Sequence, residues 1–214
     1  VGKGAGTKVP YAIKGASLTE DGKPVVLFIG ADYCPYCAAE RWSMVAALSR
    51  FGTFSNLQKT TSSSTDVFPD TATLSFHGTD YTSDKVVFRA YETQDRDGQP
   101  LDTPSAEDEA LLRKWDAPPY VSAKEAGSIP FIYIGGKYLS IGATYSPQIL
   151  ANKTQSQIAK AMQDPSTDIA KAVDGMANVW TAAICDLNGG KPANVCTSSG
   201  VTTAAAALAK APTK

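Results

Sequence analysis

The chain has 214 residues, 43% hydrophobic and 19% charged, with a formal net charge of −1. That length suits one domain with an insertion or a small appendage, and the apolar share allows a real core. Acids and bases are interspersed with no basic cluster to neutralise phosphates, which argues against a nucleic-acid or anionic-membrane partner, and no apolar run approaches the roughly eighteen residues a membrane-spanning helix needs.

Residues 1–10 read as a flexible lead. The start, Val1-Gly2-Lys3-Gly4, carries no Met and no signal-peptide pattern, so the expectation is a mature or trimmed form whose export signal or anchor has been removed. Tyr11 to Ser17 suggests a short strand or helix. Val25-Val26-Leu27-Phe28-Ile29-Gly30 is continuously apolar, which predicts a strand buried on both faces. Cys34-Pro35-Tyr36-Cys37 follows, then a helix over Ala38 to Arg50 ended by Phe51-Gly52. Pro35 suits a first helical turn, where its missing N–H costs nothing.

Thr53 to Ser62 predicts a second strand around Leu57. Leu74 to Phe76 and Lys85 to Tyr91 predict two strands flanking a turn at Gly78-Thr79-Asp80, that is, a hairpin or paired edge. Asp95 to Pro100 is a turn. Ser105 is a helix N-cap with acids behind it, and Leu111, Leu112 and Trp115 form that helix's apolar face up to Pro118-Pro119. Ile129-Pro130 opens the strand Phe131 to Ile134, Gly135-Gly136 turns it, and Lys137 to Ile141 returns. Helices are predicted over Thr154 to Gln163 and Ser166 to Ile184, the second with Ile169, Val173, Met176, Val179 and Trp180 on one face. Ala204 to Ala211 reads as frayed helix or disorder. Alternation of buried strands with helices predicts an α/β layer architecture.

The four cysteines fall into two pairs. Cys185 and Cys196 flank a loop-like Asp186-Leu187-Asn188-Gly189-Gly190-Lys191-Pro192, which reads as a structural disulfide in an oxidising compartment. Cys34 and Cys37 straddle a helix start. Free backbone N–H groups and the positive end of the helix dipole stabilise a thiolate there, so Cys34 is the candidate nucleophile. Cys37, one turn inward, is the candidate resolving thiol. The spacing also fits half of a zinc site or a structural disulfide, but Cys185, Cys196 and His77 do not complete a zinc-ligand pattern. No metal site and no cofactor are expected. His77 is expected at the surface or in a hairpin, and Trp42 and Trp115 in the core.

These residues resemble the thioredoxin superfamily. The likeness rests on Val25 to Gly30, on Ala31-Asp32-Tyr33-Cys34-Pro35-Tyr36-Cys37, and on Ile129-Pro130-Phe131-Ile132-Tyr133-Ile134-Gly135-Gly136-Lys137. It implies a thioredoxin-like central mixed sheet flanked by helices. The domain would span 11–165 with an insertion at about 63–124, a helical and disulfide-stapled extension at 166–200, and an Ala-rich tail at 201–214. It implies a cis-proline at Pro130 that shapes a substrate groove, backbone hydrogen bonds from Ile129 to a bound polypeptide, and Pro35, Tyr36 and Tyr33 as further groove residues. The Pro-Tyr dipeptide is similar to that of glutaredoxins, whereas length, insertion and second cysteine pair look more like extracytoplasmic Dsb-type or disulfide-isomerase-like proteins. Thr61-Ser62-Ser63-Ser64-Thr65-Asp66-Val67 is similar to a stretch shared by an uncharacterised archaeal and actinobacterial thioredoxin-like branch.

One position departs from the pattern. Where the family commonly places a buried acid as proton relay, this chain has Phe28. Asp32 and Glu40 are the nearby carboxylates that could relay a proton, although a solvated loop acid and a solvated helix acid are the more ordinary readings of the two. Tyr33 and Tyr36 either recognise unfolded chains or shield Cys37. The function expected is thiol–disulfide exchange with polypeptide thiols or disulfides, in a secreted or membrane-anchored protein, with a membrane redox partner implied by the resemblance. The rival is a non-catalytic binding module with a stable Cys34–Cys37 disulfide. A thiol peroxidase fits less well, because Ala31 stands where such sites want Thr. Nothing in the sequence sets an oligomeric state.

Overall fold

The computed structural model describes residues 8–214. Of the lead expected over 1–10, residues 1–7 lie outside the described residues, and Pro10 is buried.

The architecture is built around one strand. β1 (Tyr11–Ala12) and β2 (Thr19–Glu20) precede β3 (Lys23–Gly30), which pairs on both edges. Its alternate residues serve two cores. Val26 and Phe28 face one cluster, while Val25, Leu27 and Ile29 face another. All five are essentially inaccessible, which is why the run carries no polar alternation.

α1 (Pro35–Leu48) follows directly. Beyond it the predicted Thr53–Ser62 strand is two strands, β4 (Thr53–Ser55) and β5 (Gln58–Thr61). Asn56 breaks it, with φ at 60°, a left-handed conformation that Asn tolerates better than most residues. Neither joins the central sheet. β5 pairs with β6 (Ala72–Ser75), and β4 pairs with β7 (Asp80–Thr82).

The hairpin expected across Gly78 is therefore absent. β8 (Val87–Glu92) instead lies parallel to β3, with Val25 opposite Val87 and Gly30 opposite Glu92. This pairing places Phe88 and Ala90 against the core that holds Phe28 and Phe76. The segment 63–124, expected as an insertion, thus supplies a strand of the central sheet. α2 (Ala106–Trp115) then covers the second face, capped by Ser105, whose side chain accepts from the Asp108 N–H; Trp115 is buried and Leu111 and Leu112 pack beside it.

β9 (Phe131–Ile134) and β10 (Tyr138–Ile141) complete the sheet in the order β1-β10-β9-β3-β2, with β8 also on β3. β9 runs antiparallel to β3. The turn between β9 and β10 places Gly135 and Gly136 at φ 58° and 81°, and a Cβ at Gly136 would stand 2.0 Å from the Ala16 carbonyl oxygen. α3 (Gln155–Met162) starts with a capping box between Thr154 and Gln157. α4 (Asp168–Leu187) buries Ile169, Val173, Met176, Val179 and Trp180, the face its spacing predicts. Cys185 and Cys196 form a disulfide that ties α4 to the short α5 (Ala193–Cys196).

The tail differs from expectation. Ser199–Leu208 is a helix, α6, and it buries Val201, Ala204 and Leu208 in the same core as α4. Those positions share one helical face, and the small Ala204 permits close approach. The last residues return to the sheet edge, where the Ala12 N–H donates to the Pro212 carbonyl and the Lys214 N–H to the Ala12 carbonyl. The result is a mixed α/β protein whose mixed sheet is flanked by helices. Among the described residues no helix is long and apolar enough to cross a membrane.

Candidate functional site

The end of β3 and the start of α1 place the two candidate cysteines. Cys34 is the N-cap of α1, and Pro35 occupies the first turn. The Cys34 Sγ accepts the Cys37 N–H at 3.1 Å, so it fills the role that Ser or Asp fills at other helix starts. Both cysteines are free thiols, with Cys34 4% exposed and Cys37 fully enclosed. Hydrogen bonding from Cys37 holds the Cys34 thiol below the ordinary thiol range despite burial, and Arg41 adds to that. Burial drives the Cys37 thiol well above it, reinforced by Cys34. The two thiols are therefore unequal in the sense expected of an attacking and a resolving pair.

The chain returns to this point ninety-five residues later. The Ile129–Pro130 peptide is cis, and the Ile129 carbonyl faces the Cys34 sulfur at 3.9 Å. Pro130 is buried at the head of β9. A cleft of about 340 Å³ runs beside it, lined by Tyr36, Val121, Ser128, Ile129 and Ile141. Tyr36 is 41% exposed and meets the edge of Phe68 with ring centroids 5.8 Å apart. On the other side of the pair, Tyr33 borders a cleft of about 450 Å³ with Ser63, Thr65, Val67 and Arg96. The Thr61–Val67 stretch is fastened to the reactive loop there, since the Ser63 N–H donates to the Tyr33 carbonyl at 2.9 Å. Burial raises the Tyr33 phenol, with Cys34 and Cys37 adding to the shift.

The two carboxylates singled out from the sequence are not solvated acids. Asp32 is 7% exposed; its Oδ2 accepts from Ser75 Oγ at 3.0 Å and its Oδ1 lies 3.3 Å from Arg41 Nη2. Burial raises its carboxyl, partly offset by Arg41. Glu40 is fully enclosed and accepts from Ser43 Oγ, Thr144 N and Oγ1, and Trp180 Nε1. None of these bonds goes to a cysteine. Glu40 joins α1 to α4 and to the loop after β10, a structural task.

Two residues that the sequence did not mark complete the surroundings. Arg41, four positions past Cys37, is fully buried. Its Nε and Nη2 donate to Glu92 Oε1 and Oε2 at 2.8 and 2.6 Å, and Nη2 also donates to the Ala31 carbonyl at 2.7 Å. Glu92 ends β8 and is fully buried too. Desolvation raises its carboxyl and Arg41 opposes that. The one available signal was the helical spacing of Cys37 and Arg41; Glu92 has no sequence signature. His77 sits in a turn with its side chain 47% exposed, paired with Asp102 at 2.8 Å. Among the described residues no group of three His, Cys, Asp or Glu side chains is placed to hold a metal ion.

Fold and site together define a mixed α/β protein with a vicinal dithiol at a helix N-terminus, facing a carbonyl from a distant loop. The chain belongs to the family described as a domain of unknown function (DUF929), whose model matches residues 9–186. No curated protein and no solved structure matches it.

Proposed function

We propose that this protein is a thiol–disulfide oxidoreductase of thioredoxin-like fold, acting on cysteines of other polypeptides. The observation that carries the reading is the Cys34 sulfur at the N-terminus of α1, hydrogen-bonded by the Cys37 N–H and faced by the Ile129 carbonyl. A thiolate is the species that attacks disulfides, and the Cys37 N–H and the helix start favour a thiolate at Cys34, whereas the Ile129 carbonyl accepts from its protonated form. The order strand, reactive loop, helix, parallel strand, then a proline-led strand antiparallel to the first supports the thioredoxin-like assignment.

In the oxidising direction a substrate thiolate attacks Cys34 of the Cys34–Cys37 disulfide and expels Cys37. A second substrate thiol then attacks the mixed disulfide, releasing oxidised substrate and the reduced pair. The reverse sequence reduces a substrate, and a partial one isomerises it. The two clefts offer room for an extended polypeptide beside the neighbours of Cys34, one lined by Tyr36 and by Ile129, which precedes Pro130, and the other by Tyr33. The Cys185–Cys196 bond supports an extracytoplasmic setting, because such bonds persist where thiols are not kept reduced. A membrane-bound redox partner would return the pair to its working state.

Turnover in insulin reduction and in oxidation of reduced ribonuclease tests the reading. Activity in either assay that is lost in Cys34→Ser supports it. A Cys34–Cys37 couple well below about −300 mV with no turnover would instead establish a binding module with an inert disulfide.

A further inference from the structure

Cys37 is enclosed in the first turn of α1, and its surroundings are charged. Its sulfur rests on Gly30: a Cβ at that position would stand 3.1 Å from the Cys37 Sγ and 2.7 Å from the Phe28 ring. Gly30 is the register partner of Glu92. Arg41 lies one helical turn beyond Cys37, on the same side of α1, with its guanidinium carbon 6.0 Å from the centroid of the Phe28 ring. Sulfur, ring, guanidinium and carboxylate therefore gather round one backbone position. The Arg41 guanidinium spends Nε and Nη2 on Glu92, Ala31 and Asp32, while its Nη1 is buried with no hydrogen-bond acceptor among the described residues. An arginine stays charged at any pH a folded protein meets, and a buried one with a spare N–H donor has attraction left to give.

We propose that Arg41 is a positioning residue for the resolving half-reaction: held in place by Glu92, its guanidinium is the counter-ion of the buried Cys37 thiolate. This rests on the reading of Cys34 and Cys37 as an exchanging pair. In the reducing direction the Cys34 thiolate attacks the substrate disulfide. A bond forms between Cys34 and one substrate sulfur, and the other leaves as a thiolate that takes a proton from water. The Cys37 thiol then gives its proton to water and attacks the Cys34 sulfur. The Cys34–Cys37 bond forms, and the second substrate sulfur leaves and is protonated. Two electrons pass from the pair to the substrate, and of the two protons on the product thiols one balances the proton given up by Cys37 and one is drawn from water. Charge sits on Cys37 only between these steps, on a side chain that is fully enclosed in the resting protein.

The titratable and charged groups that act on Cys37 are Cys34 at the helix N-cap, Arg41 on its own helix, Tyr33 from the preceding loop and Glu92 from β8, while Asp32 bears on it through Arg41. Arg41 favours the Cys37 thiolate and Glu92 opposes it, which agrees with this division. The arrangement also accounts for Phe28: with an ion pair brought in from α1 and β8, β3 itself needs no acid beneath the cysteines.

The test is a pH titration of the Cys37 Cβ chemical shift in full-length protein with ¹³C-labelled cysteine, in a Cys34→Ser background where Cys37 is the one remaining free thiol. Glu92→Gln should move the midpoint down by about one pH unit, a tenfold gain in thiolate at a given pH. Arg41→Met combined with Glu92→Gln removes both charges, so no lone charge is left buried, and should move the midpoint above that of the background. Arg41→Lys should keep it near the background. A double variant that titrates with the background overturns the proposal, as does Glu92→Gln with an unmoved midpoint. Insulin reduction by the unsubstituted protein reads the exchange function separately. An inactive protein whose Cys37 titration shifts as described overturns the exchange reading and leaves Arg41 as the counter-ion. An active one with an unmoved titration overturns the role of Arg41 alone.

Discussion

At the scale of single residues, the site depends on inequality between two thiols one helical turn apart. Cys34 gains hydrogen bonds from the helix start, while Cys37 loses its contact with water. Because the Cys34 thiol is held below its ordinary value, the rate of alkylation by iodoacetamide should rise to its half-maximum below pH 9, with Cys37 unlabelled over that range. Mass spectrometry of the alkylated peptides checks this, and equal labelling of both would contradict it. The spacing of the pair was readable from the chain, and so was the departure at Phe28. The partners that make up for that departure were not. Arg41 and Glu92 are fifty-one residues apart. Arg41 reads as an ordinary helix former and Glu92 as an ordinary strand end, and only the register of β8 on β3 brings them together. Asp32 and Glu40 show the converse, since acids near a helix start look solvated until the chain folds over them.

Elements whose signals are local could be read directly. The apolar run of β3, the Ser105 cap of α2, the Gly135-Gly136 turn and the helical stretch from Thr154 each declare themselves within a few residues. Pairing between distant elements does not. A hairpin has a turn to announce it, but the parallel union of β3 and β8 spans some sixty residues with no local mark. The same limit hid α6, whose Ala-rich sequence shows little amphipathic contrast although Val201, Ala204 and Leu208 meet α4. If α6 is part of the core, Leu208→Ala should lower the free energy of unfolding by about 2 kcal/mol or more. Urea denaturation measures this. A change near zero would return the tail to the frayed state its composition suggests.

At the scale of the whole molecule, the family match covers 9–186 and so takes in both cysteines of the site, the Ile129–Pro130 loop and most of α4. It stops short of Cys196 and α6, so in this chain the matched region is closed over by a disulfide and a further helix. Stability should also carry a pH signature from outside the site. Asp116, the C-cap of α2, is 5% exposed, and burial pushes its carboxyl up to about 6. A carboxyl whose folded value exceeds its unfolded one is favoured while protonated. Its contribution is therefore full below about pH 4 and is lost as pH rises through about 6. Relative to the unsubstituted protein, Asp116→Asn should gain roughly 2 kcal/mol between pH 4 and pH 7.5. Denaturation at the two pH values decides it, and a difference that does not change with pH would contradict the burial of a charge at this helix end.

The proposed exchange gives attack to Cys34 and resolution to Cys37, and removing the resolving thiol should trap the intermediate between them. Cys37→Ala protein, incubated with a disulfide-containing polypeptide, should accumulate a covalent adduct that dithiothreitol releases and that peptide mapping places on Cys34. No adduct, or one formed through Cys185 or Cys196, would contradict the account.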